Sequence, residues 1–212
     1  LFSVNPKTND ARISGSLASL CGLEKALAEQ NEFSIQQSIS KILLMQAHSF
    51  FLGGLPMVFY GDELGYINDY SYLEDPGKSY DNRWMHRPVI DWKKNERISE
   101  EGTIEYQVFQ ATKKLIQIRK KLFAIGDYKN LTWMTPHNIH VAGYLRTFEE
   151  QKIYCLFNFS DQPSYLTWFA FKEHGAAPHT LYDHWTEKEL EIGYDHQYLI
   201  LEPYQFMILE AK

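Results

Sequence analysis

One short stretch of sequence decides the fold: Leu55-Pro56-Met57-Val58-Phe59-Tyr60. Its residues are apolar without alternation, which is typical of a strand that is buried on both faces of a parallel sheet. Pro56 has no amide hydrogen to donate, so it must lie at the first, turn-like position of that strand. Gly53-Gly54 comes directly before the stretch and predicts the end of a preceding helix. The pattern therefore predicts a helix followed by one buried strand.

Helical periodicity flanks this predicted strand on both sides. Upstream, Ser34 followed by Gln37 has the form of a capping box, and apolar residues at three- and four-residue spacing give one helical face as far as Ala47. Downstream, the same spacing predicts a second helix over about 103–125. Residues 61–102, between strand and second helix, are aromatic and polar, and connections of that length are usually functional or disordered.

After Gly126 the pattern changes from helical spacing to alternation. Short runs in which apolar residues occupy every second position are separated by turn-rich breaks, and this arrangement favours an antiparallel sandwich. The alternating residues are Ile139, Val141, Gly143 and Leu145, then Ile153, Cys155, Phe157 and Phe159, then Tyr204, Phe206 and Ile208. The sequence therefore predicts an α+β chain with two domains, 1–126 and 127–212.

Composition narrows the classes of function. The 212 residues carry 21 Lys and Arg against 27 Asp and Glu, a net charge of −6, so no general basic surface is available to attract nucleic acid. No apolar run approaches the roughly 20 residues that a membrane helix requires. Aromatic residues make up 15% of the chain, which favours β-structure, carbohydrate contact or both. We expect no nucleic-acid partner, no membrane partner and no cofactor.

The chain begins with Leu1 rather than Met, without the charged and apolar regions of a signal peptide. We interpret it as a piece cut from a longer protein. Only two cysteines are present, too few for a disulfide framework or a zinc site.

Asp62 and Glu63 are the first carboxylates to consider for catalysis, since they directly follow the predicted strand. A glycosidic acid/base pair needs carboxyl groups about 5–9.5 Å apart that face the same bond. Adjacent side chains on extended backbone point to opposite faces and do not provide that geometry. We expect instead that one of the two binds nearby backbone or an arginine.

Other polar residues are better explained by structure than by chemistry. His137 and His140 have metal-like spacing but no third ligand near them, and we expect both to be exposed in a turn. Cys155 lies on the apolar face of a predicted strand, where an inert core thiol is the rule. Asp183 and His184 are two polar residues in a predicted turn.

Arg12 and Arg83 are the remaining candidates. Each is flanked by an aspartate and by small or aromatic residues, and the rigid donor fork of arginine suits sugar hydroxyls and carboxylates. The alternative for each is a structural salt bridge, with Asp10 or Asp81 respectively. Composition alone favours the salt bridges.

Several motifs resemble a known family. The stretch 52–65 resembles the last barrel strand of the α-amylase superfamily, the (β/α)₈ glycoside hydrolases and transglycosidases. Within that superfamily the amylosucrases are the most similar, through the motifs at 10–15, 81–88, 157–160 and 201–210, which occur in family order and cover nearly the whole chain.

The resemblance implies the tail of a barrel over residues 1 to about 125, followed by a C-terminal β-sandwich. It also implies an enzyme that transfers glucose from sucrose to an α-glucan with retention, a reaction that requires two carboxyl groups. In the family these groups follow barrel strands that precede the region corresponding to Leu1. We therefore expect no catalytic residue and no turnover by this chain alone.

The same resemblance implies a substrate-binding role for two arginines of this sequence. Arg12 matches the family arginine that contacts the fructosyl or acceptor side, and Arg83 matches the arginine that closes the glucose pocket by pairing with an upstream aspartate. Sucrose and α-glucan are the implied partners through the parent, and self-association through exposed barrel surfaces is expected. The alternatives are a fragment of another hydrolase or isomerase of the superfamily, or a carbohydrate-binding or structural module.

Overall fold

The computed structural model describes residues 4–127, 129–176, 178–192 and 198–212. The α-helices are α1 (Leu17–Leu20), α2 (Leu23–Ala28), α3 (Glu32–Leu52), α4 (Trp92–Asn95) and α5 (Ile104–Lys121). Short 3₁₀ helices lie at Asp62–Leu64, Ser71–Glu74, Asn82–His86, Glu96–Ser99, Phe123–Ile125 and Trp168–Lys172. Among the described residues, no helix has the length and apolar character needed to cross a membrane.

The chain divides into two compact units that do not follow the predicted boundary. One unit comprises Leu1–Ile42 and Val58–Ala111, and the other comprises Leu43–Met57 and Thr112–Lys212. Helices α3 and α5 each contribute residues to both units. The domain boundary at Gly126 stays a prediction.

Both long predicted helices are present. Helix α3 begins before Ser34, because the side-chain oxygen of Asn31 accepts the hydrogen bond of the Ser34 amide at 3.0 Å and caps the helix there. It ends at Leu52, directly before the paired glycines, as predicted. Helix α5 begins after Thr103, whose hydroxyl oxygen accepts from the Tyr106 amide at 3.1 Å.

The predicted buried strand at residues 55–60 is wrong. These residues form no strand, and Leu55 and Met57 are 93% and 88% exposed. A parallel strand needs a hydrogen-bonded neighbour and cover on both faces. Within the described ranges no strand pairs with this stretch, so its apolar side chains remain in contact with solvent.

The second half of the chain confirms the antiparallel prediction. Its strands form a six-stranded antiparallel sheet in the order β1-β2-β3-β8-β5-β6 and a two-stranded sheet of β4 and β7. The strands are β1 (Leu131–Trp133), β2 (Val141–Phe148), β3 (Gln151–Asn158), β4 (Ser164–Thr167), β5 (Thr180–Asp183), β6 (Lys188–Glu191), β7 (Tyr198–Leu201) and β8 (Phe206–Ala211).

The central strands are buried on both faces rather than on one. On β3, Ile153, Cys155 and Phe157 pack into a core that includes residues of α3 and α5. Tyr154 and Leu156, on the other face of the same strand, pack into a second core with residues of β4 and β7. The sheet therefore lies between helical residues and the small sheet. An alternating pattern predicts burial of one face only, whereas both faces of these central strands are buried.

Candidate functional site

Arg83 lies in the 3₁₀ helix Asn82–His86 and forms a two-pronged ion pair with Asp81. Its Nε is 2.9 Å from Oδ1 and its Nη2 is 2.7 Å from Oδ2 of that carboxylate. Asp81 also accepts the backbone amide of Arg83 at 3.0 Å and so caps the helix. These hydrogen bonds from Arg83 lower the pKa of Asp81 to about 2. The salt bridge considered from the sequence is therefore formed.

Arg12 lies in an exposed segment before α1. The alternative pairing with Asp10 is not formed, since neither side chain has an ion-pair partner in the part of the chain that the structure describes. Two residues further on, the Ser14 hydroxyl donates to Oδ1 of Asn82 at 3.4 Å. The segment that carries Arg12 is thus linked to the residue that directly precedes Arg83.

Asn68 is the main connector of this region. Its Oδ1 accepts the amide of Ser16 at 2.8 Å, and its own amide donates to the Ser19 hydroxyl at 2.9 Å. Its Nδ2 donates to Glu24 at 3.0 Å and to the hydroxyl of Tyr70 at 3.3 Å. One asparagine therefore ties α1, α2 and the loop after Gly65 together. The sequence pattern gave no sign of it beyond its place in the long connection.

Aromatic and cationic side chains surround the Arg83 loop. The ring of Trp84 has Lys78 at 5.2 Å and Arg87 at 5.4 Å from its centroid, both within cation–π range. His86 meets Phe59 edge-on, with ring centroids 6.0 Å apart. Burial, with the nearby charge of Arg87, lowers the pKa of His86, so that its imidazole is neutral at pH 7.

Asp62 and Glu63 accept hydrogen bonds from nearby backbone amides, as predicted for one of the two. Glu63 accepts the amide of Gly61 at 2.8 Å. Asp62 accepts the backbone amide of Leu17, and burial raises the pKa of its carboxyl. With both carboxylates engaged in this way, the pair does not offer the opposed geometry of a glycosidic acid and base.

The other polar motifs also have structural explanations. His137 and His140 are exposed before β2, and Cys155 is fully buried, where burial raises the pKa of its thiol. Asp183 holds a turn by accepting from the hydroxyl of Thr186 at 2.7 Å. These observations confirm the predictions made from the sequence.

The arrangement suits ligand contact more than bond cleavage. Around Arg83 it gathers guanidinium groups, the carboxylate of Asp81 and aromatic rings, which are groups that recognise hydroxyl-rich or anionic molecules. It brings the segments of Arg12 and Arg83 together through Ser14 and Asn82. Among the described residues no group of three or more His, Cys, Asp or Glu could hold a metal ion.

Comparison with known proteins defines the class of the sheet-rich region. Residues 131–208 match the sequence profile of the maltogenic amylase C-terminal domain. This part of the chain is therefore similar to the C-terminal domain of maltogenic amylases.

Similar folds occur in several solved structures. An AmyP variant in complex with maltotriose gives a TM-score of 0.65 at 13% identity, covering 83% of this chain and 35% of that chain. Isomaltulose synthase from Erwinia rhapontici NX5 gives 0.57 at 16%, covering 88% and 41%. Trehalose-6-phosphate hydrolase from Bacillus licheniformis gives 0.55 at 17%, covering 82% and 39%.

At these identities the likeness concerns the fold alone. The chain spans only 35% to 41% of the length of these structures.

Proposed function

We propose that this chain is the C-terminal portion of an amylosucrase-like enzyme, which transfers glucosyl groups from sucrose to an α-glucan with retention of configuration. Residues 1–126 belong to the tail of its (β/α)₈ barrel and residues 127–212 form its C-terminal sandwich. The observation that carries the proposal is the coverage of the structural matches. At 82% to 88% of this chain, they extend well beyond the region matched by the family profile, into the helical residues.

The exposed apolar stretch at 55–60 supports the same proposal. In a complete barrel every strand is paired on both sides and covered by helices. Leu55 and Met57 are the kind of side chain that such neighbours would cover, and in this chain they are 93% and 88% exposed.

Arg12 and Arg83 are the proposed sugar-contacting residues. Arg83 is already held in a defined orientation by Asp81, which suits a residue of a pocket wall. The carboxylates that attack and protonate the glycosidic bond lie outside this chain in the proposal. In this proposal the chain therefore contributes part of the wall of the substrate pocket and residues that support the barrel.

The test uses the complete enzyme and this chain side by side. The complete enzyme, incubated with sucrose and glycogen, is expected to release fructose and lengthen the glucan, whereas the 212-residue chain is expected to release none. Arg83→Lys in the complete enzyme is expected to raise KM for sucrose, because lysine lacks the planar fork. Fructose release by the chain above a blank would contradict the proposal.

A second candidate is a sucrose- or glucan-acting hydrolase or isomerase of the same superfamily. The match to the maltogenic amylase C-terminal domain favours it, since that match does not depend on amylosucrase motifs. Free glucose or an isomerised disaccharide, without glucan lengthening, would identify this alternative in the same assay.

A carbohydrate-binding module is the third candidate, and exposed aromatic residues motivate it. Calorimetric titration of the 212-residue chain with maltooligosaccharides separates it from the others. Heat of binding at millimolar sugar would favour the module, and its absence would leave the enzyme proposals.

A further inference from the structure

Arg146, on β2, is a charged side chain that is 0% exposed. A buried charge is unfavourable unless hydrogen bonds compensate for lost water. Its guanidinium donates to Oδ1 of Asn130 at 2.8 Å and to the backbone carbonyls of Phe51, Leu52, Ile125 and Asp127. Each of these partners is a carbonyl oxygen, so the charge is balanced by backbone and amide dipoles.

Two of these carbonyls belong to the last turn of α3, and a second arginine binds there as well. Arg119, on α5, donates to the carbonyls of Phe50 and Gly54, the latter at 2.6 Å. The last four carbonyls of a helix have no partner within the helix. Arg119 and Arg146 therefore donate hydrogen bonds to three of the last four backbone carbonyls of α3. These are the carbonyls of Phe50, Phe51 and Leu52.

Electrostatics favour the same arrangement. The carbonyl end of a helix carries a partial negative charge, which a cation in the last turn normally opposes. Helix α3 has 21 residues and no basic residue in its last turn. Arg119 and Arg146 supply the missing cations from outside the helix.

Gly53 makes the close approach of Arg146 feasible. A Cβ atom at this position would lie 2.9 Å from Nη1 of Arg146, and the backbone φ is +132°. Only glycine adopts this conformation readily while leaving room for the guanidinium. The paired glycines thus do more than end the helix.

We propose that Arg146 and Arg119 are positioning residues that fix the end of α3 and the direction in which the chain leaves it through residues 53–57. Because Arg146 belongs to β2, the six-stranded sheet holds a segment that is not part of it. In the enzyme proposed above, and resting on that proposal, the C-terminal domain then orients residues of the barrel.

Native-state hydrogen exchange of the full 212-residue chain tests the proposal. The measured quantity is the exchange rate of amides 50–55 relative to amides of β3. In Arg146→Met this ratio is expected to rise by about tenfold or more, since buried carbonyls lose charge-assisted hydrogen bonds. Leu181→Ala, a fully buried change elsewhere in the same sheet, is the control for general destabilisation and is expected to leave the ratio unchanged.

A second pair of variants keeps the test decisive if Arg146→Met does not fold. Arg119→Met is expected to raise the same ratio, whereas Lys120→Met, the adjacent exposed residue of α5, is not. Arg146→Lys is expected to restore part of the protection, because it keeps the charge but loses the fork. An equal ratio in the arginine variants and their controls would overturn the proposal. The readout involves no sugar, so it stands apart from the outcome of the activity assay.

Discussion

Strand β3 and residues 55–60 are both short apolar runs, yet they differ in every structural respect. Strand β3 is hydrogen-bonded to β2 on one side and to β8 on the other, and its residues 153–157 are fully buried. Residues 55–60 form no strand, and Leu55 and Met57 are almost fully exposed. Apolar composition is shared, so the partners available within the chain account for the difference.

The comparison shows that a run of apolar residues predicts burial but does not identify the residues that will pack against it. For β3 the cover comes from helical residues on one face and from the small sheet on the other. For residues 55–60 the described chain supplies no ladder partner, and it leaves Leu55 and Met57 almost without cover. An exposed apolar stretch with open backbone groups is a site for association.

Truncating one aromatic residue in each run gives the largest expected contrast. Phe157→Ala removes a side chain that is 0% exposed and is expected to lower the free energy of unfolding by about 3–5 kcal/mol. Phe59→Ala, at a position 45% exposed, is expected to lower it by less than about 1 kcal/mol. Urea unfolding followed by near-ultraviolet circular dichroism measures both. Equal losses would mean that residues 55–60 are buried after all.

Replacing apolar residues of the exposed stretch by lysine tests its tendency to associate. The sequence predicts self-association, and burial of each large apolar side chain is worth about 1.5–3 kcal/mol. Leu55→Lys with Met57→Lys is therefore expected to weaken self-association by at least about tenfold in sedimentation velocity. Ile139→Lys, at a residue 96% exposed outside this stretch, is the matched control. A wild-type chain that stays monomeric at every concentration would contradict the prediction.

The sequence predicted local structure well and long-range pairing less well. Helices α3 and α5 carry their own signal in residues such as Ile42 and Leu115, both of which are buried as the spacing requires. The capping-box pattern predicts the N-cap at Ser34. In the structure Asn31 is the N-cap, because its side-chain oxygen accepts the hydrogen bond of the Ser34 amide.

The remaining errors concern partners that are distant in sequence. The strand predicted at 55–60 depended on neighbours that no local pattern reveals. The connecting role of Asn68 rests on contacts with Ser16 and Glu24, more than 40 residues away. The hydrogen bonds of Arg146 depend in the same way on the fold, which brings its guanidinium to the carbonyl of Phe51, 95 residues away.

The aromatic site around His48 gives a smaller, pH-dependent effect in the helices that cover β3. The ring of His48 lies 5.0 Å from that of Phe157, and burial lowers the pKa of the imidazole below its ordinary value. Below about pH 6.5 the folded chain therefore binds fewer protons than the unfolded chain. The free energy of unfolding is at its full value above about pH 6.5, and it decreases as the pH falls through the lowered pKa of His48.

His48→Gln is expected to remove this dependence, because glutamine has no group that titrates in this pH range. Urea midpoints measured between pH 5 and pH 8 provide the test. His86→Gln is the counterpart in the other unit, since burial also lowers the pKa of His86. A pH dependence that persists unchanged in His48→Gln would show that other groups produce it.

The smallest effect on stability is expected at the ion pair of Asp81 and Arg83. The Arg83 side chain is 47% exposed and that of Asp81 is 12% exposed, and an ion pair with one partner open to solvent is screened and contributes little to folding. Asp81→Asn is therefore expected to leave the Tm of the chain unchanged near neutral pH, with and without added salt. The pKa of Asp81, lowered to about 2 by Arg83, confines its titration to acid, so no change is expected between pH 5 and pH 8.

If the proposed function is correct, the same substitution in the complete enzyme raises KM for sucrose, because Arg83 loses the carboxylate that orients its guanidinium. Glu74→Gln, an exposed acidic residue of the same long connection, is the matched control and is expected to change neither quantity. A fall in Tm without a change in KM would mean that the pair stabilises the loop and takes no part in sugar binding. The two arginine motifs would then be structural, and the proposed relationship to a barrel would depend on the structural matches and on the exposed run at 55–60.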